Sequence, residues 1–283
     1  KGKNVEMLRL NCNLSSSHPE LNENNYNGFI TTPVESYWPN GYGLYNMAGN
    51  VNEWLAEPGK SKGGSWSLPP YNARLDVSSY YEGNTAARPD IGFRYLIEVV
   101  SVKNSFTPVK MDKTYFKKQF VALPDSIKSK RIWACKTEVS NAEYQTFLNE
   151  VKDSTYAIKS SNWSAYFKYG YYQMYGVNSG FNNYPVVNIT YEAVLAYCEW
   201  LTQKYNNTKG RTYQKVKFKL PNNSEWELAA LGGHKDFHFP WGGPYLRNSV
   251  GCYLANFSPL EDRFLYRKNS VLKYNYPDDD ITI

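Results

Sequence analysis

Three short motifs near the start of the chain constrain its fold more than any other feature. Residues 41–54 read GYGLYNMAGNVNEW, residues 62–66 read KGGSW and residues 92–94 read GFR. Each motif is short, but the three together, in this order, form a specific signature. By themselves these motifs strongly indicate one particular fold.

Residues 138–144, EVSNAEY, predict the beginning of a helix. Ser140 and Glu143 form a capping box, in which each side chain bonds the other residue's backbone amide. An apolar face follows at helical spacing, formed by Tyr144, Phe147, Leu148 and Val151. This pattern predicts a strand over residues 132–139 and a helix after it.

Two more helices are predicted further along the chain. Residues 184–201, YPVVNITYEAVLAYCEWL, predict a helix capped by Thr190, with a buried stripe of Val194, Tyr197, Cys198 and Leu201. Residues 218–233, FKLPNNSEWELAALGG, predict a helix between an Asn222 cap and a terminal Gly232.

These motifs, with FPWG at 239–242 and ANF at 255–257, resemble those of the formylglycine-generating enzyme family, also called sulfatase-modifying factors. The resemblance covers most of the chain. It implies an α+β fold of the formylglycine-generating-enzyme kind, which is C-type-lectin-like and loop-rich, with short strands and few helices.

The family's motifs occur here with the two halves exchanged. Residues 1–101 resemble the C-terminal part of a sulfatase-modifying-factor-like domain, residues 102–112 read as a linker, and residues 113–283 resemble the N-terminal part. Either the domain is circularly permuted, or the end of one tandem domain is joined to the start of the next. We favour the tandem arrangement because the two ends resemble each other weakly. In both cases the parts can complement each other as one fold.

The resemblance also locates the family's copper site. Its two cysteines follow the GGS motif, and aligned on residues 63–65 they fall on Leu68 and Ala73. Copper(I) needs soft thiolate ligands, so copper is not expected and no catalytic residue is predicted. The sequence indicates a catalytically inactive member. The alternative is a metal-dependent oxidoreductase that converts a substrate cysteine to formylglycine.

Calcium is the cofactor that the resemblance favours. The family loop YNxxGNxxE implies side-chain ligands at Asn46 and Glu53 and backbone carbonyl ligands at Gly49 and Val51. Hard oxygen ligands of this kind suit calcium. The alternative is that Asn46 and Glu53 only cap turns around Trp54.

A second family calcium site is implied nearer the C-terminus. Its matching residues are Asn256, Phe257, Asp279 and Ile281. A copy in the N-terminal segment falls on Asn13, Leu14, Asn27 and Phe29. In that copy asparagine replaces an aspartate, which removes a charge and weakens the site.

Aromatic residues make up 17% of the chain and are candidates for a cleft that binds a protein or a glycan. The candidates are Trp38, Trp54, Trp66, Tyr71, Tyr80 and Tyr81. The alternative is that they seal the core, which we expect for Trp54 and Trp66. Arg94 is expected to pair with buried carboxylates or carbonyls.

Charge and hydropathy limit the partners. The net charge of +6 is spread along the chain, so a nucleic-acid surface is not predicted. No apolar run approaches the roughly 20 residues that span a bilayer, although a lipid anchor could lie outside this chain. Relatives in gliding and type IX secretion lipoproteins suggest an extracytoplasmic location, in the periplasm, outer membrane or surface of a bacterium.

Overall fold

The computed structural model describes residues 31–80, 84–101, 119–124, 131–159, 161, 175, 178–209, 211, 213–235, 237–249 and 253–257. Within them lie eight strands: β1 Asn52–Trp54, β2 Lys60–Lys62, β3 Ser79–Tyr80, β4 Ile91–Gly92, β5 Leu96–Ser101, β6 Phe120–Ala122, β7 Ile132–Cys135 and β8 Lys215–Lys219. The three α-helices are α1 Asn141–Val151, α2 Tyr191–Asn207 and α3 Asn223–Leu231. Short 3₁₀ turns cover Pro70–Ala73, Ser154–Tyr156 and Ser179–Phe181.

The helices begin where the capping residues predict. Ser140 and Asn222 each form a complete capping box with the glutamate three residues later, and Thr190 accepts a hydrogen bond from the amide of Ala193. Helix α3 ends at Gly232 in the left-handed conformation, which glycine adopts without steric cost.

The prediction of an apolar face on α1 is wrong at its last residue, Val151. Tyr144 and Phe147 are buried and Leu148 is partly buried, but Val151 is 37% exposed. The helix ends there, because Lys152 turns into the left-handed conformation. The side chain of Val151 therefore lies beyond the last turn that packs on the core.

The strands form two four-stranded sheets. The first four strands form a sheet of order β3-β2-β1-β4. In it, β1 pairs antiparallel with β2 and parallel with β4. The other sheet has the order β6-β7-β5-β8 and is antiparallel throughout. Strand β5 lies between β7 and β8, where its residues Leu96 and Ile97 pair with both neighbours.

Strand β5 connects the two segments that the sequence distinguishes. It belongs to residues 1–101, whereas β6, β7 and β8 belong to residues 113–283. The described parts of both segments therefore share one sheet and one core. Whether this order reflects permutation or a tandem array stays a prediction, and the proposed linker at 102–112 lies outside the described residues.

Both faces of this second sheet are covered. Ile97 and neighbouring strand residues pack with Phe147 of α1 and Tyr197 of α2 in the larger core cluster. On the opposite face, Leu96 packs with Trp226 of α3 and with Leu44. Since successive strand side chains point to opposite faces, a strand buried on both sides must be apolar at consecutive positions, as 96–97 are.

We expect the substitution Ile97→Ala to destabilise both segments, which should still unfold in one transition. Ile97 is fully buried, so the substitution should lower the free energy of unfolding by about 2–5 kcal/mol. Urea unfolding followed by fluorescence and by far-ultraviolet circular dichroism should give one shared, shifted transition. Val100→Ala in the same strand, where the side chain is 53% exposed, is the control and should change little. Two separate transitions would contradict the shared core.

Candidate functional site

The loop over residues 46–53 is shaped by left-handed backbone positions. Asn46, Gly49 and Asn50 have φ values of 49°, 74° and 67°. Asparagine and glycine are the residues that adopt this region most readily. A Cβ on Gly49 would lie 2.5 Å from the carbonyl oxygen of Asn256. The loop therefore needs glycine there in order to approach the 253–257 segment.

A buried ion pair closes this loop. The Nη2 and Nε atoms of Arg94 lie 2.8 and 3.1 Å from Oε1 of Glu53, and Nε lies 3.2 Å from Oε2. Both side chains are 1% exposed. The indole Nε1 of Trp226 donates to Oε2 of Glu53 over 2.9 Å.

The rest of the Arg94 guanidinium bonds to backbone oxygens. Its Nη1 donates to the carbonyl of Cys135 over 2.9 Å, and its Nη2 donates to the carbonyl of Tyr45 over 2.7 Å. The structural role predicted for Arg94, pairing with a buried carboxylate and with carbonyls, is confirmed. The contact with Cys135 also connects GFR to β7 of the second segment.

A second buried carboxyl group, that of Glu138, lies against the same loop. Its two oxygens accept hydrogen bonds from Nδ2 of Asn50, at 2.9 Å, and from Nδ2 of Asn46, at 3.1 Å. Burial raises the pKa of Glu138 to about 8, although nearby Arg94 opposes the shift. Glu138 is therefore mostly protonated at neutral pH. Sequence reasoning missed it, because nothing local to EVSNAEY shows that it meets a loop about ninety residues away.

The predicted calcium loop fits a calcium ion in part. Oδ1 of Asn46 is buried without a hydrogen-bond partner, as an unused oxygen ligand would be. The carbonyls of Gly49 and Val51 belong to the same loop. Glu53 does not fit as it stands, since each of its oxygens already accepts two hydrogen bonds and a carboxylate offers about four such positions.

The second predicted calcium site is only partly described. Asn256 and Phe257 are buried, and the carbonyl of Asn256 accepts a hydrogen bond from the amide of Asn50 over 2.6 Å. The structure thus brings the first predicted site against the second. Asp279 and Ile281 lie outside the described residues, as do all four residues of the N-terminal copy, at positions 13, 14, 27 and 29.

The sequence comparisons decide the family. The model of the Sulfatase-modifying factor enzyme 1-like domain matches residues 7–99 and 108–276. The chain belongs to this family. The resemblance read from the motifs and the α+β, loop-rich fold with short strands and few helices are confirmed.

The curated relatives that match include both enzymes and proteins named as inactive. The formylglycine-generating enzyme of Streptomyces coelicolor is 38% identical over 90 residues, which are 31% of this chain and 26% of the enzyme. The enzyme of Thermomonospora curvata is 48% identical over 50 residues, 17% of this chain and 16% of that relative. The inactive Cα-formylglycine-generating enzyme 2 of Bos taurus is 31% identical over 74 residues, 26% of this chain and 20% of that relative. This chain therefore spans about a quarter or less of the relatives' length, and no solved structure matches it significantly.

In this sulfatase-modifying-factor-like domain, the positions that correspond to the copper cysteines lie beside GGS. Ala73 is fully buried, and a Cβ on Gly64 would lie 2.8 Å from its amide nitrogen. Leu68 is half-buried, and its amide donates to the carbonyl of Ser65. Neither side chain offers a metal ligand.

The two cysteines that the structure describes lie in a different core cluster from Ala73. Cys135 and Cys198 are buried free thiols, and burial raises the pKa of each to about 12. Both thiols are therefore protonated at neutral pH when no metal is bound. Within the described ranges, no group of three or more histidine, cysteine, aspartate or glutamate side chains could hold a metal ion.

A polar network, absent from our sequence reasoning, lies next to these positions. The hydroxyls of Ser65 and Ser67 are 3.0 Å apart, and Ser67 donates to Asp90 over 3.0 Å. Arg88 donates to the other oxygen of Asp90 over 3.1 Å. The hydroxyls and the paired carboxylate of this network are hard oxygen groups, unlike the soft ligands that copper(I) prefers.

The proposed aromatic cleft does not form from all six candidates. Trp54 is fully buried and Trp66 is partly buried, as expected for core residues. Tyr71 is 38% exposed, and Trp38 is 52% exposed at the edge of a pocket. Tyr81 and the side chain of Tyr80 lie outside what the structure describes.

We expect the buried carboxyl of Glu138 to make stability fall as pH rises. Between about pH 5 and about pH 8, the folded state keeps a proton on Glu138 that the unfolded state has released, so the free energy of unfolding decreases over this window. Glu138→Gln removes this ionisation and should flatten the decrease, as measured by urea unfolding at a series of pH values.

The matched control is Glu199→Gln, which changes an exposed carboxyl on α2 and should keep the wild-type pH dependence. The same decrease in wild type and Glu138→Gln would show that Glu138 is ionised in the folded protein.

Proposed function

We propose that this chain is a catalytically inactive member of its family that acts in binding. The observation that carries the proposal is the pair Leu68 and Ala73 at the positions of the two copper cysteines. The placement of Cys135 and Cys198 supports it, since both lie in the larger core cluster, whereas Ala73 belongs to a different one. The similarity to relatives named inactive, in Bos taurus and Mus musculus, is in agreement.

We further propose that it serves as a structural part of an extracytoplasmic assembly, of the kind formed by gliding and type IX secretion lipoproteins. The partner would be a protein or a glycan. Among the described helices, none is long and apolar enough to cross a membrane.

The second candidate is the family's oxidation of a substrate cysteine to formylglycine. The similarity to enzymes of that name in Streptomyces coelicolor and Thermomonospora curvata favours it. It would require a redox metal to be held by residues other than Leu68 and Ala73.

Copper titration separates the two candidates. We expect the wild-type chain to bind no stoichiometric copper(I) in competition with a chromophoric chelator, and to consume no oxygen with a cysteine-containing peptide. The double substitution Leu68→Cys and Ala73→Cys restores two thiols at the aligned positions and should gain tight copper binding, because copper(I) prefers paired thiolates. Tight copper binding with peptide turnover by the wild type would contradict the proposal.

We also propose that the 46–53 loop holds calcium, through Oδ1 of Asn46 and the carbonyls of Gly49 and Val51. Glu53 would join only by giving up a hydrogen bond from Arg94 or Trp226. Asn256, Phe257, Asp279 and Ile281 remain the proposed second site. The buried, unpartnered Oδ1 of Asn46 supports the first site.

Thermal unfolding with calcium and with chelator tests this site. A calcium concentration ten times the dissociation constant should stabilise the wild type by about 1.4 kcal/mol. Asn46→Ala should lose most of this calcium-dependent increase, whatever its own stability. Asn182→Ala, which removes an exposed amide elsewhere, should keep it. Equal melting temperatures of the wild type in calcium and in chelator would contradict the calcium proposal.

A further inference from the structure

An open pocket lies next to the core cluster that contains Ala73, since Ala48 and Trp241 belong to that cluster and also line the pocket. Its volume is about 60 Å³, and its lining comes from two stretches, residues 37–48 and residues 240–254. Leu68 and Ala73 do not contribute to it. A pocket of this size has room for about one small side chain of a partner, since one water molecule takes up about 30 Å³ in the liquid.

Two indole rings line the pocket. Trp241 is held in place, because it stacks on Phe239 with ring centroids 4.9 Å apart and its Nε1 donates to the carbonyl of Tyr245. Trp38 is 52% exposed. Pro39 and Pro240 also line the pocket. The lining therefore offers flat apolar surfaces of which one, Trp38, is largely uncovered.

The polar groups of the lining are mostly satisfied from within. The side chain of Asn40 donates to the carbonyls of Ala229 and Ala230 and accepts from the amides of Tyr42 and Leu44. Oδ1 of Asn46 is shielded from solvent. No charged side chain lines the pocket, so it favours an uncharged ligand.

Two side-chain hydrogen-bond donors remain open. The hydroxyl of Tyr37 and the indole Nε1 of Trp38 have no hydrogen-bond partner in the part of the chain that the structure describes. Burial raises the pKa of Tyr37 to about 12, so its hydroxyl keeps its proton. A complementary ligand therefore presents hydrogen-bond acceptors to the pocket and carries few hydrogen-bond donors of its own.

We propose that this pocket binds a proline-rich, extended segment of a partner protein. Proline has no backbone N–H, so such a segment presents carbonyl acceptors without matching donors. Its polyproline II conformation is formed before binding and docks in aromatic-lined grooves. A sugar is less well matched, since its hydroxyls also donate, and the unpaired amide oxygen among the lining residues, Oδ1 of Asn46, is shielded from solvent. The inference rests on the proposed binding role and specifies the ligand.

Calorimetric titration with decaproline tests the inference on the full chain. We expect saturable binding with a dissociation constant below about 1 mM, and no binding of a decapeptide of alternating glycine and serine. Trp38→Ala should weaken decaproline binding by about thirtyfold, as loss of a central tryptophan does. Trp38→Phe and Tyr37→Phe each remove one donor and should weaken it by about threefold to tenfold.

Tyr71→Ala is the matched control, because it removes an exposed aromatic ring outside the pocket. It should leave the affinity for decaproline unchanged, and circular dichroism checks that every variant is folded. The inference is overturned if decaproline does not bind, if Tyr71→Ala weakens binding as much as Trp38→Ala, or if a chito- or cello-oligosaccharide binds in its place. Copper-dependent turnover would overturn the proposed inactivity alone, since it leaves this titration unaffected.

Discussion

The ion pair between Arg94 and Glu53 is the interaction on which the other features of this domain depend. A buried guanidinium loses several kcal/mol of hydration, and this loss is offset only if its donors are paired with good geometry. Here they bond to Glu53 and to the carbonyls of Tyr45 and Cys135. These partners come from β1, from the loop before it and from β7. One side chain therefore holds together the small sheet, the 46–53 loop and the larger sheet.

The second buried carboxyl, Glu138, follows from the same constraint. Burial disfavours the charged form of Glu138, and Arg94, which bonds directly to Glu53, offsets this only in part, so Glu138 retains its proton. Asn46 and Asn50, both in the left-handed conformation, then bond Glu138 to the loop. Neutral amides meet a neutral acid, and the charges of Arg94 and Glu53 balance each other.

The parts of the structure that the sequence predicts are the local ones and those carried by motifs. Ser140, Thr190 and Asn222 bond to amides three residues away, so their caps are visible in the sequence itself. The structural role of Arg94 followed from the GFR motif. The partner of Asn50 could not be predicted, because Glu138 lies 88 positions away. Composition likewise cannot separate Trp38, which is 52% exposed, from the fully buried Trp54, since burial depends on the finished packing.

A double-mutant cycle on Arg94 and Glu53 tests the central claim most directly. Urea unfolding would compare the wild type, Arg94→Met, Glu53→Gln and the double variant at one pH. The account predicts that each single substitution lowers the free energy of unfolding by about 3–5 kcal/mol, because each leaves a buried group without its partner, and that the double variant loses far less than the sum. Additive losses, or single losses below about 1 kcal/mol as for an exposed pair, would contradict it.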